Sequence, residues 1–285
     1  MENTTQNSYH THISSKHNAL ELKLDEVWRY RDLILLFTKR NFVVRYKQTI
    51  LGPAWILLNP LFSSIIYAIV FGGIAKIGTE GIPTILFYLC SNAIWLFFAT
   101  CVTTNARTFT ENANVFGKVY FPRLTMPISN MLSAGIHFCV QMLMVLGFLG
   151  FYLVQGAVHP NWAAWLLIPV VLLHLGMLGL GCGIIVSSLT TKYRDLAILV
   201  DFAMQLWMYA TPVVYPLSTL EPGWIRTILL INPVTAPVEF FRYAILGQGS
   251  ILPWVLVLSW AITIVVMLIG IVIFNKVERT FMDTV

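Results

Sequence analysis

The stretch KVYFPRLTMPISNMLSAGIHFCVQMLMVLGFLGFYLVQGAVHPNWAAWLLIPVVLLHLGMLGLGCGIIVSSLTTKYRDL, residues 118–196, decides the fold. From Leu124 to Thr191 it carries no charge apart from three histidines, His137, His159 and His174. About 20 apolar residues cross a bilayer, so a run of this length crosses twice, turning at QGAVHPNW, Gln155 to Trp162. The charged flanks KVYFPR and TKYRDL then face the same side and offer a docking surface for whatever drives the protein. Working outward, the hydrophobic content of 57%, the charged content of 11% and the mean hydropathy of +0.74 leave too little polar surface for a soluble domain. At 285 residues there is room for about six spans and none for a sizeable soluble nucleotide-binding domain.

Further candidate spans lie at 53–75, 83–106, 195–215 and 252–274, beside 127–154 and 163–189. Six spans put both termini on one side. The segments assigned to that side hold 15 of the 18 Lys and Arg residues, leaving Lys76, Arg226 and Arg242 opposite. Positive charge gathers on the cytoplasmic side, so both termini are expected there. No cleavable leader is legible, because the first fully apolar run begins near Gln48. The chain divides into a polar tail (1–20) read as disordered, an amphipathic helix (21–47), a six-span domain (48–275) and a C-terminal tail (276–285). In the helix, Val27, Tyr30, Ile34 and Phe37 share one side while Arg29, Asp32, Lys39, Arg40 and Lys47 face away; Arg45 breaks the pattern, which ends the helix near Val44. Such a basic amphipathic helix lies in the headgroup layer.

The stretch 212–250 is too apolar for a solvated linker, yet Pro212, Pro216, Pro222, Pro233 and Pro237 break it into pieces too short to cross. Two short helices dipping back into the outer leaflet fit it, turning at Asn232 and Pro233, with Glu239 and Arg242 spaced to pair. Asp201, inside the fifth span, calls for a partner, and Arg194 or a basic residue of the amphipathic helix is the expected one. Gly179 and Gly183 have the spacing of a close helix contact. Cys90, Cys101, Cys139 and Cys182 lie in apolar runs and read as packing residues. His10, His12 and His17 have no acidic or cysteine partner nearby and read as a solvated tail; no metal site is expected.

Five segments resemble, in family order, the permease subunit of ABC-2 type exporters, in detail the branch exporting O-antigen, capsular and teichoic acid polysaccharides. They are RNFVVRYKQTILGPAWILLNP (Arg40 to Pro60), NVFGKVYFPR (Asn114 to Arg123), TKYRDL, MYATPVVYP (Met208 to Pro216) and INPVTAPVEFFR (Ile231 to Arg242). The resemblance implies an all-α polytopic fold and two permease chains assembled with two ATPase chains that bind ATP and Mg. It implies a lipid-linked polysaccharide as cargo, passing between the permeases along spans one and five of a bacterial plasma membrane. It makes the amphipathic helix an interface helix, Leu51 and Gly52 the loop leading into span one, Lys118, Phe121, Pro122 and Arg123 part of the ATPase coupling element, and Asn232, Pro233, Glu239 and Arg242 part of the outer gate.

Physical chemistry adds to these placements. A polyprenyl-diphosphate headgroup is anionic, and Arg40, Arg45 and Lys47 cluster beside Leu51 and Gly52 to meet it, although such residues also anchor helices in headgroups. Sugars stack on aromatic faces, which makes Trp55, Tyr67, Tyr209 and Tyr215 candidate pore-lining residues. No GxxxxGK[ST] occurs in the chain, so ATP hydrolysis falls to a partner. A membrane-embedded glycan transferase or polymerase would need paired acids, bases or metal ligands, which the spans do not offer, and no catalytic residue or nucleic-acid partner is expected. Export of a drug or lipid on the same fold is the alternative cargo.

Overall fold

The computed structural model of the protein describes residues 24–284 except Tyr120 and Arg194. The histidine tail and Arg194 lie outside these residues. Twelve α-helices follow one another, and no strand occurs among the described residues. Two short helices, α1 (Leu24–Arg29) and α2 (Arg31–Tyr46), stand where the sequence suggests one; they break at Tyr30, and α2 runs two residues beyond Val44. Val27, Ile34, Phe37 and Thr38 form the buried stripe. The first long helix is composite: a 3-10 turn (Gly52–Ala54), α3 (Trp55–Tyr67), then seven residues of π-helix (Ala68–Ile74). There follow α4 (Thr84–Ala106), α5 (Thr108–Phe116), α6 (Thr125–Val154), the single turn α7 (Trp162–Trp165) and α8 (Ile168–Thr190).

Helices α4 and α8 are the core, because both are apolar on every side and a helix of that kind belongs inside. The most apolar window of α4 is 78% buried and that of α8 61%, against 17% for Gly52–Ile74. Glycines permit the approach. A Cβ on Gly179 would lie 2.6 Å from Cys101 Cβ, and one on Gly183 2.4 Å from Asn105 Cβ. Without a hydrophobic drive between helices in lipid, such close van der Waals packing is what holds them together.

The remaining elements are α9 (Leu196–Tyr209), α10 (Trp224–Ile231), α11 (Thr235–Leu246) and α12 (Pro253–Thr284). The last helix continues through most of the segment expected to be a tail. Among the described residues five helices are long and apolar enough to cross a membrane, which makes this a multi-pass membrane protein. Helices α10 and α11 meet at 85° around Asn232 and Pro233, a sharp break where the proline pattern puts one.

Span five departs from expectation. Its helix has 14 residues, about 21 Å long, and stops at Tyr209, short of a hydrocarbon layer roughly 30 Å thick. Yet Asp201 near the start of α9 pairs with Arg107 just past the end of α4, and Ser218 donates to Glu80 just before α4. The chain from Asp201 to Ser218 therefore covers the depth that α4 covers, its second part as non-helical backbone. Among the described residues the partner of Asp201 is Arg107, from the corner between α4 and α5, and not a residue of the amphipathic helix; the expected Arg194 lies outside the described residues.

Candidate functional site

Two cavities of about 500 and 350 Å³ open at the end of the bundle that carries α2. The turn that makes room for them uses left-handed backbone at Gln48 (φ 67) and Gly52 (φ 51), which swings the chain from α2 into α3. Arg45 is exposed and, with Thr100 and His137, lines both cavities. Trp55 stands at the wall of the smaller one. Lys47 and Leu51 are exposed beside it. Burial raises the Tyr46 phenol above its usual range, opposed by the neighbouring Arg45 charge, so this lining hydroxyl stays neutral at neutral pH.

Arg40, half-buried, lines the larger cavity together with Arg45 and is tied to its neighbours. Its guanidinium lies 4.8 Å from the Phe37 ring centroid and donates to Asn41 Oδ1 at 3.1 Å and Asn112 Oδ1 at 3.3 Å. Asn41 in turn donates to Asn130 Oδ1 at 2.9 Å, and Asn130 donates to Asn105 Oδ1 at 3.2 Å and Thr108 Oγ1 at 3.4 Å. This amide network joins α2 to α4, α5 and α6. It has no signature in the sequence, because its members are far apart in the chain and an asparagine in each segment has many other uses.

The described residues of the segment expected to meet an ATPase differ in exposure. Lys118 and Val119 are exposed and Pro122 is half-buried. Phe121 is buried 5.6 Å from Phe37 and 5.7 Å from Phe116, ring centre to ring centre. Arg123 is buried as well, with its guanidinium 5.7 Å from the Phe116 ring. Phe121 and Arg123 thus seat α5 on α2 and face the protein interior.

Helices α3 and α9 bring three of the four predicted aromatics together. Tyr67 donates its hydroxyl to Met208 Sδ at 3.4 Å, Phe71 lies 6.5 Å from Tyr209, and Tyr215 donates to the Tyr209 carbonyl at 3.0 Å. Tyr209 is half exposed while Tyr67 is partly buried. Trp55 belongs to the cavity at the other end. The π-helical stretch, a geometry often found at functional sites, follows Tyr67 directly.

At the end bearing α11, the predicted gate residues hold the broken span in place. Thr211, Pro212, Val213 and Val214 are buried, although their backbone has left the helix. Asn232 Nδ2 donates to the Ala210 carbonyl at 2.7 Å and Thr211 Oγ1 at 2.9 Å, while its Oδ1 accepts from Trp207 Nε1 at 3.2 Å and the Val234 N–H at 3.1 Å. Arg242 donates to the Pro212 carbonyl at 3.0 Å, pairs with Glu239 and lies 4.7 Å from the Phe87 ring centroid. Glu239 also accepts from the Ser250 N–H at 3.0 Å. Pro233 presents its carbonyl to Ser259 of α12. Arg242 and Glu239 are fully enclosed, which no spacing argument reveals.

Among the described residues no three His, Cys, Asp or Glu side chains converge to hold a metal ion. All four cysteines are free thiols. The described residues thus present a polar hollow lined by Arg40, Arg45 and Glu111 at one end, a mixed aromatic face along α3 and α9, and a tightly hydrogen-bonded corner at the other end.

Comparison with known proteins agrees. The chain is similar to an O-antigen export system permease protein of Klebsiella pneumoniae, 28% identical over 254 residues that cover 88% of this chain and 94% of the relative. It is likewise 28% identical over 221 residues to an O-antigen export system permease protein of Myxococcus xanthus, covering 76% of this chain and 81% of the relative. Residues 32–246, from the start of α2 to the last residue of α11, match the ABC-2 type transporter family, and the chain belongs to that family of membrane transport subunits.

Proposed function

We propose that this chain is the permease half-channel of an ATP-driven exporter that moves polysaccharide linked to a polyprenyl diphosphate, such as O-antigen or teichoic acid, across a bacterial plasma membrane. Both termini are cytoplasmic in this reading, which puts the Arg45 cavities at the inner leaflet and the α10–α11 corner at the outer one. The observation that carries it is the similarity, over 88% and 76% of the chain, to permeases named for O-antigen export, in a chain whose α2 end opens a polar hollow with Arg45 at its mouth. An anionic diphosphate at the headgroup layer suits that mouth.

Two copies would meet along the exposed sides of α3 and α9, where Phe62, Ile66, Phe202 and Tyr209 stand uncovered. Two ATPase chains, binding ATP and Mg, would press on the exposed tip of the coupling segment at Lys118. The closing motion of the ATPases would then be passed from α5 to α2 through the amide network, opening the seam between the copies. The chain performs no bond chemistry of its own in this scheme.

The test is reconstitution of the permease with its ATPase in vesicles, supplied with lipid-linked polysaccharide, a phospholipid reporter and small amphiphilic drugs. ATP-dependent movement of the polysaccharide alone supports the reading. Movement of the drug or phospholipid instead assigns the alternative cargo, and chemical change of the glycan would indicate an enzyme.

A further inference from the structure

The smaller cavity carries two features that an anion does not require. His137 holds its Nδ1 2.7 Å from the Ser133 carbonyl. A carbonyl only accepts, so Nδ1 carries the hydrogen and the neutral ring leaves Nε2 as an acceptor. That Nε2 has no hydrogen-bond partner, nor does Oε1 of Gln141 one helical turn further along α6. Both residues line the cavity and are more than nine-tenths buried. A native protein leaves few buried polar atoms unpaired, and two acceptors on one wall of one hollow point to a donor that comes from outside. A diphosphate esterified at both ends, as in a sugar-linked prenyl diphosphate, brings no donors at neutral pH, whereas the sugar brings several hydroxyls. The hollow is also lined by Trp55, an aromatic surface on which the C–H face of a sugar ring rests, and by Tyr46, whose ring packs 5.6 Å from the His137 ring, and Arg45 stands at its mouth.

We propose that the cavity behind Arg45 is a subsite for the first sugar of the glycolipid, with Gln141 and His137 accepting its hydroxyls while Arg45 meets the adjoining diphosphate. The proposal rests on the export reading and deepens it: it makes the reducing-end sugar, and not only the charge, a criterion for admission. Specificity of this kind is effective because a site built to hydrogen-bond a hydroxyl leaves its own buried groups unpaired when the hydroxyl is missing.

The full-length permease in nanodiscs is titrated with three probes: a short-chain prenyl diphosphate carrying one hexose, the same prenyl diphosphate without the sugar, and phosphatidylglycerol. The wild-type protein is expected to bind the hexose probe about tenfold more tightly than the bare diphosphate, the size expected of two new hydrogen bonds. In Gln141→Leu and His137→Phe that ratio falls toward one, and in Arg45→Ala both diphosphates weaken together with the ratio kept. Equal binding of the two diphosphates by the wild type overturns the proposal, whatever becomes of the variants. So does phosphatidylglycerol competing as well as the hexose probe, which makes the hollow a lipid headgroup site, and so does a sugar preference that survives in both α6 variants. Transport by the wild-type complex is measured in parallel. Polysaccharide export without a sugar preference rejects the subsite alone, and a sugar preference without export rejects the transport reading while the subsite stands.

Discussion

A backbone carbonyl without a partner costs several kcal/mol in hydrocarbon, and the break after Tyr209 exposes a run of them to that risk. Asn232 and Arg242 remove it. Asn232 uses both sides of its amide, and its replacement by Ala leaves the Ala210 carbonyl and the Trp207 N–H unpaired at once. We expect Asn232→Ala to lower stability by about 2–3 kcal/mol, read from unfolding in detergent. Arg242→Met should cost more, about 3–5 kcal/mol, because it strands the Glu239 carboxylate inside the protein. Adding Glu239→Gln should recover part of that loss but not all of it, since the Pro212 carbonyl still lacks its donor. Full recovery in the double variant would show that Arg242 serves only its ion pair. The sequence marks INPVTAPVEFFR as a unit and pairs Glu239 with Arg242 by spacing. It is silent on what the arginine holds, because the Pro212 carbonyl is 30 residues away and only the folded corner brings it near.

At the level of elements, glycine spacing and glycine contact tell different amounts. The pair Gly179 and Gly183 is legible as a packing face, yet nothing in the chain says that the face meets α4 at Cys101 and Asn105. We expect Gly183→Val to prevent α8 from seating on α4, and so to abolish the folded protein as judged by elution of a monodisperse peak. Gly135→Val on α6 is the control, because an added Cβ there meets nothing within 4 Å. Both variants behaving alike would argue against α4 and α8 as the core pair. The boundaries of the long helices were readable to within a few residues, since hydrocarbon thickness sets their length and charges or prolines end them. The π-helical end of span one and the early stop of span five were not. The early stop depends on side chains from the α10–α11 corner, Asn232 and Arg242, that take up the hydrogen bonds a regular helix would keep to itself, while the π-helical end keeps its bonds within the backbone, Ala75 N–H donating to the Val70 carbonyl.

For the whole molecule, the exposed tip of the proposed coupling segment and its buried root have separate consequences. Lys118→Glu changes only a solvated side chain, so the variant should fold and insert normally while exporting less polymer per ATP hydrolysed in the reconstituted complex. Arg123→Glu puts the opposite charge into the aromatic cluster of Phe37, Phe116 and Phe121, and should instead lower the yield of folded protein. Normal coupling in Lys118→Glu would remove that residue from the ATPase contact.

The uncharged run from Leu124 to Thr191, the bias of its basic flanks and the proline-broken stretch after span five were enough to determine an all-helical, multi-pass protein with a sharp corner between two short helices. They do so because a bilayer imposes one length, one backbone rule and one charge asymmetry on any chain that crosses it. Which helices lie at the centre, which cation pairs with Asp201, which of the coupling residues face outward and which amides tie α2 to α5 were decided only in the tertiary structure. Those are choices of partner between distant segments, and a partner is fixed by where folding brings two side chains together, a distance that no local pattern encodes.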